Sequence, residues 1–471
     1  MSGLNQTLNI SDQSLFASRQ GIDTTAHNIA NAQTEGYSRQ AVKINARDPI
    51  LKQGLLVGSG AYVASIGRAH DRFIERQVNG AGSAHGESEG KYNAYVELEG
   101  LFSPELATNL SQQLDHFFDA LQSLSGQPEE MTVRTAVKER GESLAQSFNE
   151  MDRSLKTFRD NSNEKLRASV DRLNELLENI AGLNLKIQET EYGEQRISND
   201  LRDQRDRLVR DLSQYMDVNY YHDQFGMLTL RGAGSTLLVE RGYASQFRTR
   251  RNDQGMYDLV VTDADGNMAQ DVSRKIASGS LKAIIDTRDH TIGKLLAQNN
   301  DLAFNFAKEV NRVHKEGFGI GEFSAANSRN FFEELKDVHN AAQNIKIEST
   351  IQNSVNAIAA ASTPEAVGDN VNINKLLDLR NHRFLANGTA TFHEYFANNV
   401  GDLGTEAKRA MHSMEADRIL FDDVTGRRES VAGVSMDEEA SNMIRWQAAF
   451  TASSKLITTI DEMFQTVLSL K

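Results

Sequence analysis

A chain of 471 residues with 51 lysines and arginines against 65 aspartates and glutamates carries a net charge of −14 and is too long for one ordinary compact domain. With 39% apolar residues it can bury a modest core, while its acidic balance and lack of any basic run repel phosphate backbones and anionic lipid, so nucleic-acid and membrane binding drop out. Cysteine is absent, which removes disulfides, thiolate metal sites and thiol nucleophiles together.

The first thirty residues are rich in Asn, Gln, Ser and Thr and lack the basic start and apolar block of a cleaved secretory leader. Nor does any segment approach the roughly eighteen consecutive apolar residues of a membrane helix. Apolar positions recur instead every seven residues, at Leu8, Leu15, Ile22 and Ile29, with Leu4, Ser11, Ser18, Thr25 and Ala32 in a line beside them. From Gln40 to Ile66 the pattern turns β-prone, with Pro49, Gly54, Gly58 and Gly60 as punctuation, and the small, polar run from Asn79 to Gly90 reads as a linker. Helical stripes follow: one from Leu110 to Leu124, a second from Val133 to Phe158, a third from Leu166 to Ile187 and a fourth from Ile284 to Val313. Between 217 and 275 short alternating runs separated by glycine turns predict a small antiparallel β subdomain, and a loop is expected over 317–330.

The chain ends on a second heptad line, Met443, Phe450, Ile457 and Phe464 following Met436, flanked by Trp446, Ser453, Ile460 and Val467. Ser435 and Glu438 have the spacing of a capping box that would start this helix. A stripe so narrow is not satisfied by a lone helix in water, so each end requires partners. The fold class is therefore mainly α with a small β subdomain, a long-helix bundle or coiled-coil core in a multi-domain chain. Residues 1–40 and 430–471 are expected to form a terminal helical coiled-coil (inner) domain and 41–90 an extended β connector and linker. Residues 91–216 and 276–429 are expected to form a helical bundle, and 217–275 the β subdomain.

Catalytic and metal signatures fail on inspection. Gly86-Glu87-Ser88-Glu89-Gly90 has nucleophile-elbow spacing but no strand to present the serine, and two carboxylates would oppose an oxyanion. Asp263, Asp265 and Asn267 begin a calcium-loop pattern that breaks at Met268 and Arg274, so Asp265-Gly266 is better read as a hairpin turn. After His393-Glu394 the zinc-partner position holds Ala397. No catalytic, cofactor or metal residue is assigned. Asp203 and Asp206, with Arg202, Arg205 and Arg207, are most simply a solvated helical face laced by local ion pairs.

The segment NIANAQTEGYSRQ at 28–40, with Asn31, Thr34, Gly36, Tyr37, Arg39 and Gln40, resembles the N-terminal signature of bacterial flagellar rod, hook and hook-associated proteins, and residues 433–468 are similar to their C-terminal helix. LRDQRDRLV at 201–209, containing Asp203, Gln204, Arg205 and Asp206, resembles the hook-associated protein 1 family, as do GSLKAIIDTRD at 279–289 and AVGDN at 366–370. That resemblance implies a structural adaptor, not an enzyme, that joins hook to filament. It implies a subunit exported through the flagellar type III apparatus without a cleaved signal, helped by a cytosolic chaperone at its C-terminal region. Its implied partners are copies of itself in a ring or helical array, the hook protein, and the next hook-associated or filament junction protein. By the same resemblance Leu8, Leu15, Ile22, Ile29, Met443, Phe450, Ile457 and Phe464 form the subunit interface. The chain is short for that family, so a reduced outer domain follows. Another axial subunit, such as a hook or filament protein, is the alternative, and an enzyme with an unrecognised site the third reading.

Overall fold

The computed structural model describes residues 2–52, 54–102, 110–192, 197–223, 226–262, 270–325 and 328–469. The N-terminal helix α1 (Ser2–Ala30) leads into a connector of two antiparallel ribbons, β1 (Gln40–Ala46) with β4 (Ala61–Arg68), and β2 (Ile50–Lys52) with β3 (Leu55–Val57). Helices α2 (Arg72–Leu101) and α3 (Leu110–Gly126) follow, then the 61-residue α4 (Met131–Glu191) and α5 (Asn199–Tyr215). The β subdomain contains a four-stranded sheet of β5 (Val218–His222), β6 (Leu228–Gly232), β7 (Thr236–Glu240) and β8 (Tyr243–Ala244) in sequential order. A second sheet has the order β11-β10-β9, from β9 (Gln246–Arg251), β10 (Tyr257–Thr262) and β11 (Gln270–Asp271). Helix α6 (Ser280–Asp286) passes through a π turn into α7 (Ile292–His314), short helices α8 (Ala341–Asn344), α9 (Ser349–Asn353) and α10 (Val371–Asp378) follow, and α11 (Phe392–Ala432) leads to the C-terminal α12 (Met436–Ser469).

Helix α4 unites two stripes that the sequence presents separately, because no proline or glycine turn interrupts residues 131–191. At 1.5 Å per residue it extends roughly 90 Å. Its first half enters an aromatic core with Phe117, Phe148, Phe306, Phe331, Phe332 and Phe392, whose rings meet edge-on or tilted, Phe306 and Phe392 edge-on at 4.9 Å between centroids. Its second half, through Leu166, Leu173, Leu177 and Ile180, closes the core of the β subdomain on Leu228, Leu230, Phe247 and Leu259. One helix thereby fixes the helical body and the β subdomain to each other.

The run Asn79–Gly90 is not a linker. It lies inside α2, and the connector ends at Arg68, so the helical body begins at Arg72 rather than at residue 91. The small residues are there for close approach: a methyl on Gly86 would collide with the Gln214 carbonyl, on Gly82 it would press on Ser213 and Phe421, and on Gly90 it would overlap Ala283. Polarity that resembles flexibility in the sequence is a packing face for α5, α6 and α11. Gly279 has φ +93°, with the Tyr215–Met216 peptide where a side chain would stand, so only glycine fits there. The proposed turn at Asp265-Gly266 and the calcium-like Asp263 to Met268 lie outside the described residues.

Two histidines are held neutral in the body. His314 is fully buried, its Nδ1 lies 2.8 Å from the Arg329 carbonyl and its Nε2 accepts from the Ala359 N–H at 2.9 Å, a pattern only the neutral Nδ1–H tautomer satisfies. Burial lowers its pKa to about 4, and burial together with Arg205 does the same at His222. An unfolded histidine binds its proton below about 6.5, so the unfolded state takes up protons that the folded state refuses. Stability is therefore complete above pH 6.5 and declines as the pH falls toward 4. Thermal melting of the subunit between pH 7 and pH 4.5 should show a falling Tm, and His314→Gln, which removes the titrating group, should flatten part of that slope.

Candidate functional site at the joint of the terminal helices

Helices α1 and α12 run antiparallel, with Ser14 Oγ 2.8 Å from Ser453 Oγ, Gly21 under the Trp446 ring and Asn28 Nδ2 donating to Glu439 Oε2 at 2.9 Å. The seam is made mostly of small and polar groups: Ser11, Ser18, Gly21 and Thr25 are buried on α1 and Ser453 on α12, with Ile460 a larger apolar residue beside them. It follows the lines beside the apolar heptads. Small residues let the helices approach closely, and a methyl on Gly21 would overlap the indole.

The eight apolar heptad positions flank this seam. Leu8, Leu15, Ile22, Ile29, Met443, Phe450, Ile457 and Phe464 are all half-buried. Successive residues of an α-helix point about 100° apart, so Gln13 and Leu15 leave the Ser14 line in opposite senses. Gln13 and Ile10 meet Gly60 of the connector, which places Leu8, Leu15, Ile22 and Ile29 on the side away from it. For an antiparallel partner the same construction puts Met443, Phe450, Ile457 and Phe464 on that same side, and Leu456 and Met463 on the connector side. The eight residues thus line one continuous flank that pairing within the subunit only partly covers.

Where the pair meets the body, the sequence motif converges on a polar node. Gly36 has φ +77°, ends the turn after α1 and sits under Arg207 and Arg210. Tyr37 then donates to Asn28 Oδ1 at 2.7 Å, and the same oxygen accepts from Gln40 N at 2.9 Å. Burial, with Asp200, Asp203 and Glu439 nearby, pushes the Tyr37 phenol well above its usual range, keeping it a donor. Arg39 Nε pairs with the buried Glu439 at 2.7 Å and its Nη1 with Glu438 at 2.8 Å. Glu438 N bonds Ser435 Oγ at a long 3.5 Å, so its carboxylate serves the joint more than the capping box expected of it.

Helix α5 supplies the other half of the node, and here the expectation of a solvated face fails. Asp203, Arg205 and Asp206 are buried, and only Gln204 among the four is exposed. Ser38 donates from N at 2.9 Å and from Oγ at 2.8 Å to Asp203, Arg68 bridges Asp203 at 2.6 Å and Asp206 at 2.7 Å, and Gln40 Nε2 reaches Asp200 at 2.7 Å. Burial would raise both carboxyls; Arg68, Arg205 and His70 outweigh it at Asp206, whose pKa is lowered, whereas at Asp203 burial prevails and the pKa is raised. Arg205 turns the other way, donating to Asn184 Oδ1 and the Gly226 carbonyl at 2.9 Å each. A second buried ion cluster, Glu75 with Arg210 and Arg428, joins α2, α5 and α11, and Arg428 also donates to the Gly36 carbonyl at 3.2 Å.

Asn31 and Thr34 stay outside the node: Asn31 Nδ2 donates to the His27 carbonyl at 3.0 Å, and Thr34 is exposed. Sequence reasoning passes over Asn28, Ser38, Arg68, Glu75, Arg428 and Glu439. The available signals are the Asn and Ser inside the motif and an isolated Arg closing a β-prone run. The sites rejected for chemistry are structural: Ser88 Oγ donates to the His85 carbonyl at 3.1 Å within α2, His85 stacks on Phe421, and His393 Nε2 lies 2.8 Å from Asp115. Among the described residues no cluster of metal-binding side chains gathers and no helix is long and apolar enough to cross a membrane.

Replacing Arg68 with Met should cost about 3–5 kcal/mol in urea unfolding, because two buried carboxylates lose their counter-charge. Adding Asp206→Leu to that variant should cost less than the sum of the two single changes, the signature of direct coupling.

Residues 95–332 match the family model described as Flagellar hook-associated protein FlgK helical domain, and residues 429–470 match Flagellar basal body rod FlgEFG protein C-terminal. Flagellar hook-associated protein 1 of Bacillus subtilis (strain 168) is 28% identical over 97% of this chain and 96% of its own length; that of Escherichia coli (strain K12) is 23% identical over 99% and 100%. The flagellar hook junction protein FlgK from Burkholderia pseudomallei shares the fold, with a TM-score of 0.66 at 15% identity over 76% of this chain and all of that one. The chain belongs to the flagellar hook-associated protein FlgK family, structural subunits of the bacterial flagellum at the hook–filament junction.

Proposed function

We propose that this subunit joins hook to filament by self-assembly through its terminal helices, the eight half-buried residues from Leu8 to Ile29 and from Met443 to Phe464 packing against neighbouring copies. The observation that carries this reading is the flank itself. Pairing of α1 with α12 buries Ser11, Ser18, Gly21, Thr25 and Ser453, yet leaves large aliphatic and aromatic groups half in water on both helices. Contacts of this kind, repeated around a ring, sum to a durable joint from modest individual terms. The proposed neighbours along the axis are the hook protein below and the next hook-associated or filament junction protein above.

Export and chaperoning belong to the same proposal. Ile444, Leu456, Met463 and Val467 are exposed on α12, and such a surface invites unwanted association before assembly. A cytosolic chaperone that covers the C-terminal region, followed by passage through the flagellar export apparatus without a cleaved signal, would deliver the subunit with that surface protected. The terminal pair, the connector and the helical body with its β subdomain then act as inner, linking and outer parts.

Cells lacking the chain should build hooks, still export flagellin and lose it to the medium without attached filaments. Arrest before the hook would assign the chain to rod or hook instead, and normal swimming would overturn the reading. Ile22→Asp and Phe450→Asp each place a charge on the flank at a cost of several kcal/mol in the assembled state. Incorporation into flagella should fail while melting of the helical body is unchanged; normal incorporation of both would remove the terminal-helix contact.

A further inference from the structure

The connector carries an apolar surface that the terminal flank does not explain. In the β2–β3 hairpin Ile50, Leu51, Leu55 and Leu56 are exposed, the last three by more than 70%. Leu51 stands opposite Leu56 and Lys52 opposite Leu55 in the ladder, so the aliphatic groups are concentrated on two short strands. A two-stranded ribbon is marginal alone in water and gains little by displaying leucines there. Its base is anchored: Gln6 Nε2 donates to the Gly58 carbonyl at 3.2 Å, and Ile10 and Gln13 abut Gly60. The hairpin therefore projects from one side of the terminal pair, and the Leu8–Leu15 and Ile457–Phe464 flank lies on the opposite side.

Two different apolar patches on opposite sides of one subunit are the geometry of a head-to-tail contact, which closes into rings or propagates as a helix. Charge agrees with the match. The arm from residue 40 to 60 carries Lys43, Arg47 and Lys52 against the single acid Asp48. The edge of the flank is acidic on balance: Asp12 stands four residues after Leu8 and three before Leu15, Asp461 stands likewise between Ile457 and Phe464, and the one base in that register, Arg19, is faced by Asp23 at 4.0 Å. We propose that the β2–β3 hairpin of one subunit docks on the acid-edged apolar flank of the terminal helix pair of an adjacent copy of this chain, a contact that rests on the self-assembly reading above. Leu51, Leu55 and Leu56 of the hairpin cover Leu15 and Phe450, while Lys43 and Arg47 of the arm approach Asp12 and Asp461.

The test places a photo-reactive benzoylphenylalanine at the exposed Leu55 in the full chain as the cell's only copy. Irradiated flagella should yield a band of twice the subunit mass whose linked peptide falls within residues 2–22 or 443–469. As a second measurement, Leu51→Gln with Leu56→Gln should reduce the chain recovered in flagella at least tenfold without changing the Tm of the free subunit. If the chain is incorporated but position 55 links to its own hairpin in another copy, to a different flagellar protein or to nothing, the docking is overturned while terminal-helix assembly still stands on the Ile22 and Phe450 variants. If the unmodified chain is absent from purified flagella, both readings fall.

Discussion

Arg68 reaches two carboxylates at once, and the relation of the chain's ends to its body depends on that bridge. Asp203 and Asp206 are three residues apart on α5, so both project from one face, and Arg68 meets each below 3 Å at the end of β4. Ser38 uses the remaining capacity of Asp203, which draws in the strand that follows α1. From there Tyr37, Asn28 and Glu439 carry the connection into α1 and α12. Buried charge is costly unless every partner is present, so the node favours a single arrangement of connector, terminal pair and helical body. The network sets orientation more than it adds net stability.

Small residues do the complementary work. Gly82, Gly86 and Gly90 let α5, α6 and α11 lie close on α2, and Gly21 with Ser11, Ser18 and Thr25 does the same for α12 on α1. Close approach brings backbone and short polar side chains into contact and leaves the larger apolar residues to the sides. The terminal pair consequently spends its serines and threonines on itself and keeps leucine, isoleucine and phenylalanine for its flank. A seam built from the large residues would have left a polar exterior with little to offer a neighbour.

Much of this was legible in the sequence because periodicity reports burial directly. The stripes in α3, α4 and α7 and the alternation between residues 217 and 275 each led to the right kind of element. Composition misled at Asn79–Gly90, where glycine and serine signal either flexibility or close packing, and only the neighbours decide. Charge misled at Asp203–Asp206: a helix with acids and bases interleaved reads as solvated until Arg68 and Ser38, which are distant in sequence, are brought onto it. The motif residues were recognised as a set, but their mutual contacts depend on long-range closure between positions near 30, 68, 203 and 439, which no local pattern encodes.

The two kinds of contact divide the subunit's work by their directionality. Hydrogen bonds and paired charges demand fixed distances and angles, so the node at Arg68 and Glu439 specifies how the terminal pair leaves the body. Burial of apolar surface demands only coverage, so in the proposed assembly a flank of half-buried leucine, isoleucine and phenylalanine would accept a neighbour over a range of small displacements. A junction between two unlike structures needs both properties, since each subunit must hold its own shape while meeting surfaces that differ below and above it. Directional contacts inside the subunit, with the tolerant ones on the flank of its terminal helices as proposed, would meet that requirement with one chain.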